Sequence, residues 1–100
     1  MYKNRRITAK QAMEIKKRYP AAIFLDVRSE WEYNTGHIVG AVSLPDYDIE
    51  TRAESVLGDH NKIVLIYCQV GSRSRGATSL LVSMGYENAY DFGGIVDWPY

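Results

Sequence analysis

Two continuous apolar runs of strand length constrain the fold of this chain more than any other feature. They are Ile-Phe-Leu-Asp-Val at residues 23–27 and Ile-Val-Leu-Ile-Tyr at residues 63–67. A strand with one face in water alternates apolar and polar residues, whereas a strand that is covered on both faces does not. The two runs therefore predict central strands of a parallel sheet with helices on both faces.

Shorter β-rich runs extend this sheet. Residues 41–44 and 89–92 predict two further strands, and residues 5–7 predict a fifth strand at one edge. Gly93 and Gly94 close the last of these runs and predict a tight turn near the carboxyl edge of the sheet. The sequence thus predicts an α/β fold, a parallel sheet of about five strands flanked by helices.

Four stretches between the predicted strands carry helix signals. Two of them open with a capping box, in which a hydroxyl residue and a Gln or Glu three positions later satisfy free amides: Thr8 with Gln11, and Ser29 with Glu32. Two others space apolar residues at a helical period before a glycine: residues 49–57 before Gly58, and residues 77–84 before Gly85. Ser72 or Ser74 is predicted to cap the last helix.

Composition argues against several classes of partner. Twelve basic and twelve acidic residues cancel to a net charge of zero, which leaves no electrostatic basis for binding nucleic acid. No apolar run approaches the ~18 residues of a membrane span, and the polar start at residues 1–6 has no apolar signal core. One cysteine and two isolated histidines fit no standard metal spacing, so we predict neither a metal nor a cofactor. A single cysteine forms no internal disulfide, which favours a cytoplasmic location.

The single cysteine, Cys68, follows the second apolar run and precedes a predicted helix. Ligand crevices in parallel sheets lie beyond the carboxyl ends of the strands. Residues 68–74, here called the Cys68 loop, are Cys-Gln-Val-Gly-Ser-Arg-Ser, and Gly71 allows the backbone amides to curl into an anion-binding nest. A lone cysteine is usually a small buried hydrophobe. The nest, the helix start and Arg73 favour the thiolate instead, so we predict a nucleophilic Cys68.

At this loop the chain resembles the rhodanese family, and the resemblance extends from about residue 7 to residue 98. Besides the Cys68 loop it includes five further segments in order: Leu-Asp-Val-Arg at residues 25–28, Glu32, Gly-His-Ile-Val-Gly-Ala at 36–41, Leu-Pro at 44–45 and Gly-Gly-Ile-Val-Asp-Trp at 93–98. The resemblance implies a single rhodanese domain over residues 1–100. It also implies a sulfurtransferase that moves sulfane sulfur from a donor, thiosulfate or a persulfide, to a thiol or cyanide through a persulfide on Cys68, with a protein thiol as a further partner.

The resemblance implies two sets of site residues. Cys68 is the catalytic residue, and the substrate is bound by the rest of the loop: Gln69, Val70, Gly71, Ser72, Arg73 and Ser74. In that set the amides hold the persulfide and Arg73 orients an anionic donor.

The second set is structural and lies near the site. It contains Asp26, Arg28 and His37. Arg28 is expected to hold Glu32 or a neighbouring loop, and His37 to hydrogen-bond loop backbone.

Two alternative functions stay open. One alternative is a cysteine phosphatase or an arsenate reductase, because one group of cysteine phosphatases shares the fold that the resemblance implies. A phosphatase loop, however, has one more residue between its cysteine and arginine than the four that separate Cys68 from Arg73. A non-catalytic rhodanese-like module that binds a partner or senses redox state is the other alternative. Retention of Cys68, Gly71 and Arg73 favours chemistry, and a second cysteine that could resolve a sulfenic acid is absent from the sequence.

Overall fold

A computed structural model describes residues 4–100, so residues 1–3 of the predicted polar start lie outside it. The described chain forms four α-helices and four strands, which in order are α1 (Ala9–Arg18), β1 (Ile23–Asp26), α2 (Glu30–Thr35), β2 (Val42–Ser43), α3 (Ile49–Leu57), β3 (Val64–Cys68), α4 (Ser72–Ser83) and β4 (Ala89–Gly94). Short 3₁₀ helices cover Asp46–Asp48 and Ile95–Asp97. Among residues 4–100, no helix has the length and apolarity to cross a bilayer.

The four strands form one parallel sheet in the order β2-β1-β3-β4. Strand β3 is central, and its first residue, Val64, lies opposite Ile23 of β1 and Ala89 of β4. All five residues of β3 are buried. The α/β class and the parallel sheet are therefore confirmed.

The described sheet has four strands where the sequence predicted about five. Residues 5–7 make only an isolated bridge, between Arg6 and Asp91. Thr8 already caps α1, so the chain turns into a helix before it can extend the pairing.

Helices cover both faces of the sheet, as the apolar runs predicted. Because side chains alternate along a strand, Val64, Ile66 and Cys68 pack into the core beneath α3 and α4. Leu65 and Tyr67 pack into the opposite core, which includes residues of α1. Cys68 therefore faces the amino-terminal part of α4 and not the α1 side.

Both predicted capping boxes form. Thr8 accepts a hydrogen bond from the amide of Gln11, whose side chain accepts the amide of Thr8 in return. Ser29 and Glu32 make the same reciprocal pair at the start of α2.

The predicted cap of α4 is wrong. Its N-cap is Gly71, with φ of +103°, and among residues 4–100 no side chain caps the helix. Ser74 lies in the first turn with its hydroxyl turned into the protein interior, where Asp91 accepts its hydrogen bond. A serine whose hydroxyl is bound in the core is not free to cap a helix.

Candidate active site

Cys68 is the last residue of β3. The sequence placed it just after the strand, but the structure pairs it with Gly94 of β4 beyond a shift in register. Its exposed fraction is 0%, so this pairing holds the thiol inside the protein, under the Cys68 loop. The position still lies at the carboxyl edge of the sheet, where the predicted crevice belongs.

Two backbone amides of the Cys68 loop point at the sulfur. The amide of Gly71 lies 3.0 Å from Cys68 Sγ, and the amide of Ser74 lies 3.3 Å from it. The left-handed backbone of Gly71 turns the chain so that its N–H faces back to the strand end. N–H groups arranged in this way, at the start of a helix, favour negative charge on the group they surround.

The hydroxyl of Ser74 joins the sulfur to a buried carboxylate. Ser74 Oγ lies 3.4 Å from Cys68 Sγ and 2.7 Å from Asp91 Oδ1. Asp91 is 2% exposed and also accepts the amide of Gly93, at 2.9 Å, and Arg6 Nε, at 2.7 Å. The guanidinium of Arg6 in turn donates to the carbonyl of Gly71.

Sequence reasoning missed both Asp91 and Arg6 as members of the site. A signal was present, because an aspartate within the otherwise apolar run at residues 89–92 must find a partner if the strand is buried. The sequence did not reveal that this partner set includes Ser74 of the Cys68 loop.

Gly94 allows the Cys68 loop to lie directly against β4. A Cβ atom at Gly94 would lie 2.4 Å from the carbonyl oxygen of Gln69 and 2.8 Å from Val70 Cα. Its φ of −106° is open to any residue, so the glycine is required by space and not by backbone conformation. The sequence predicted only a tight turn here, and the close approach of the loop is an additional role.

Arg73 forms a two-pronged ion pair with Glu32 of α2. Its Nη atoms lie 2.6 and 2.8 Å from the two carboxylate oxygens. These hydrogen bonds raise the pKa of Arg73 and lower the pKa of Glu32 to about 2 from an ordinary 4.5. The side chain of Arg73 is 35% exposed. The sequence predicted that Arg28 holds either Glu32 or a neighbouring loop, and Glu32 pairs with Arg73 instead.

Asp26 and Arg28 form a buried ion pair beside the Cys68 loop. Arg28 Nη2 lies 2.7 Å from Asp26 Oδ2, and this hydrogen bonding is the main cause of the raised pKa of Arg28. The guanidinium also donates to the carbonyl of Gly36 and to Gln69 Oε1. Arg28 therefore ties neighbouring loops together, in keeping with the structural role predicted for it.

The phenol of Tyr67 completes this network from the central strand. It donates to Asp26 Oδ2 at 2.8 Å and accepts the amide of Ile38 at 3.1 Å. Burial is the main cause of its raised pKa.

No hydrogen bond joins the sulfur to the remaining predicted residues, which are Val70, Ser72 and His37. Val70 is 69% exposed, and Ser72 is also exposed. His37 Nδ1 lies 2.9 Å from the carbonyl of Tyr33, and the two rings stack. The sequence predicted a hydrogen bond to loop backbone, whereas Tyr33 belongs to α2. His37 also lines a separate cavity of about 350 Å³ with Trp98.

Comparison with known proteins identifies relatives of this chain. The model of the rhodanese-like domain family matches residues 8–99. The thiosulfate sulfurtransferase PspE of Escherichia coli strain K12 is 32% identical over 79 residues, which cover 79% of this chain and 76% of that protein.

A second curated relative is much longer than this chain. The tRNA uridine(34) hydroxylase of Erwinia tasmaniensis is 31% identical over 84 residues, and the match spans 79% of this chain but 24% of that protein. Among solved structures, the rhodanese-like domain of an Anabaena sp. protein superposes with a TM-score of 0.82 at 31% identity, covering 95% of this chain and 73% of that chain.

Proposed function

This chain belongs to the rhodanese family, and on that premise we propose that it is a sulfurtransferase that carries sulfane sulfur on Cys68. The likeness to PspE supports sulfur transfer as the reaction and thiosulfate as a donor to test first. We also propose that the chain acts as one rhodanese domain.

One observation carries the assignment of the carrier. The amides of Gly71 and Ser74 both point at Cys68 Sγ at the start of α4. Preorganised N–H groups stabilise a sulfur anion without having to reorient during the reaction. A cysteine that served only as a core hydrophobe would not require inward amides.

The reaction divides into two half-reactions. The Cys68 thiolate attacks the outer sulfur of thiosulfate, an S–S bond forms to Sγ, and the bond to the sulfonate sulfur breaks as sulfite leaves with its electron pair. An acceptor thiolate or cyanide then attacks the outer sulfur of the persulfide, and Sγ leaves as thiolate. The products are a new persulfide or thiocyanate, and the kinetics are ping-pong.

Access to the sulfur requires movement within the protein, because Cys68 is fully buried and a donor has to reach Sγ. Arg73 is the cation on which an incoming anionic donor would bind, and to do so the donor competes with Glu32 for the guanidinium. A protein persulfide donor or a protein thiol acceptor would have to reach the same buried sulfur.

The test follows the sulfur atom itself. The protein is mixed with thiosulfate and its intact mass is measured, and cyanide is then added and thiocyanate is assayed. The expected result is one added sulfur that cyanide removes, with both signals absent from Cys68→Ser. Arg73→Ala is expected to raise KM for thiosulfate while the protein stays folded.

An aryl phosphate assayed in parallel separates the alternatives. Phosphate release without sulfur loading would assign the chain to the cysteine phosphatases. If the folded protein shows neither sulfur transfer nor phosphate release, the remaining alternative is a non-catalytic module that binds a partner or senses redox state.

A further inference from the structure

The single hydroxyl hydrogen of Ser74 is held by Asp91. Ser74 Oγ lies 2.7 Å from Asp91 Oδ1, whereas its other neighbours lie farther away: Gly71 O at 3.1 Å, Gly93 O at 3.4 Å and Cys68 Sγ at 3.4 Å. A carboxylate only accepts hydrogen bonds, and the hydrogen bond from a hydroxyl to a carboxylate is short and strong. The hydrogen therefore lies toward Asp91, and Ser74 offers a lone pair to the sulfur.

Asp91 is in turn held as an acceptor from two other directions. Arg6 Nε donates to its Oδ2, and the amide of Gly93 donates to its Oδ1. The carboxylate is 2% exposed, so these donors and Ser74 provide its hydrogen bonding in place of solvent. This arrangement leaves Asp91 with no hydrogen to offer to Ser74.

We propose that Asp91 is a positioning residue that fixes Ser74 as a hydrogen-bond acceptor and thereby favours the thiol of Cys68 over the thiolate in the sulfur-free protein. The thiol S–H can donate to Ser74 Oγ, but a thiolate finds a lone pair there. The amides of Gly71 and Ser74 favour the thiolate, so the two sets of contacts oppose each other at one sulfur. The consequence of this inference for sulfur transfer rests on the proposed function.

When Cys68 becomes a persulfide, the two sets of contacts no longer favour different protonation states of Sγ. Sγ then bears the outer sulfur in place of a hydrogen, so it has nothing to donate to Ser74, while the amides continue to favour the negative charge. The network therefore stabilises the protonated empty carrier without stabilising the loaded one.

Charged groups besides Asp91 surround the sulfur, and none of them is substituted in the test variants. They are the Arg73–Glu32 pair of α4 and α2, the Asp26–Arg28 pair at the end of β1, and the arginines that line a cavity of about 450 Å³ together with Asp91, namely Arg5, Arg6 and Arg75. Arg6 loses its carboxylate partner when Asp91 is replaced, and its charge then also favours the thiolate.

The test is a pH titration of thiolate ultraviolet absorbance in the sulfur-free protein. The sequence has one cysteine, so Cys68→Ser supplies the blank for tyrosine ionisation. Asp91→Asn is expected to lower the midpoint by about one pH unit, a roughly tenfold higher thiolate-to-thiol ratio at a fixed pH. Ser74→Ala is expected to lower it as well, because the thiol loses its acceptor, and to shift the infrared S–H band.

Asp59→Asn is the matched control. Asp59 accepts the amide of Asn61 two residues on, just as Asp91 accepts that of Gly93, but it is exposed and precedes β3 at the opposite end of the strand. The midpoint of the thiolate titration in Asp59→Asn should equal that of the parent protein.

Three results would overturn the inference. The first is an unchanged or raised midpoint in folded Asp91→Asn. The second is a raised or unchanged midpoint in Ser74→Ala, which decides the matter if Asp91→Asn does not fold. The third is an equal effect of Asp91→Asn with and without Ser74, since a double-mutant cycle without coupling means that the charge acts directly and not through the hydroxyl.

The titration involves no sulfur transfer. A chain that shows the shifts but transfers no sulfur refutes only the proposed function, and a chain that transfers sulfur without the shifts refutes only this inference.

Discussion

Replacement of Gly94 by alanine is the sharpest perturbation of the loop that surrounds Cys68. The new Cβ would lie 2.4 Å from the carbonyl oxygen of Gln69 and 2.8 Å from Val70 Cα. Both contacts are with backbone, so no side chain can rotate away. The strand or the loop must shift by about 1 Å to restore ordinary contact, which begins at 3.4 Å.

The displaced atoms belong to the two residues that join Cys68 to Gly71 along the chain. Gln69 and Val70 connect Cys68 to Gly71, whose amide lies 3.0 Å from Sγ, so the shift passes into that hydrogen bond. Misplacement of a reacting group by 1 Å costs on the order of 100-fold in rate. Overpacking of this kind destabilises a fold by about 1–3 kcal/mol.

The assay is single-turnover persulfide formation from thiosulfate, followed by intact mass, with urea unfolding in parallel. Gly76→Ala is the control, because the residue lies inside α4 and a Cβ there meets nothing within 4 Å among the described residues outside its own stretch of helix. That control should keep the parental rate and gain about 0.5–1 kcal/mol of stability. A parental rate in Gly94→Ala would refute the argument that the close approach of the loop positions the amide.

Three further predictions concern the groups around this loop. The lowered pKa of Glu32 means that its pair with Arg73 stabilises the fold fully above about pH 4.5 and loses that contribution as the pH falls through about 2. In urea unfolding, the free energy of unfolding of Glu32→Gln should be about 1 kcal/mol lower than that of the parent at neutral pH, a small difference because the pair is partly exposed to solvent. The difference should vanish near pH 2, and a difference that does not depend on pH would contradict the pairing. Asp26→Asn leaves the buried guanidinium of Arg28 without a counter-charge and should cost about 3–5 kcal/mol in thermal unfolding, with a loss under 1 kcal/mol as the contrary result. Gly71→Ala places a side chain at φ of +103°, so we expect a loss of about 1–2 kcal/mol together with slower persulfide formation, and an unaffected rate would mean that this amide does not act on the sulfur.

Much of the architecture followed from local patterns. Continuous apolar runs require cover on both faces, and they identified β1 and β3 as central strands before any contact was known. The capping boxes at Thr8 and Ser29 located two helix starts, because their hydrogen bonds join residues only three positions apart. The position of Cys68 at the carboxyl edge of the sheet follows from the same order of elements.

The fifth strand and the cap of α4 differ from the predictions for separate reasons. Residues 5–7 make only a bridge to Asp91, because the chain enters α1 directly after them. Ser74 does not cap α4, because its hydroxyl binds Asp91, which lies 17 residues away in sequence.

Local sequence was therefore sufficient for the class of fold, for the starts of α1 and α2 and for the position of the single cysteine at the carboxyl edge of the sheet, since each depends on residue type and on neighbours a few positions away. Tertiary structure alone settled which charges are paired around that residue. Arg73 meets Glu32 across 41 positions, and Gly94 faces Gln69 from a different strand. Charged side chains form ion pairs with the opposite charges that the packing brings close to them, and no short-range sequence pattern encodes which charges these are.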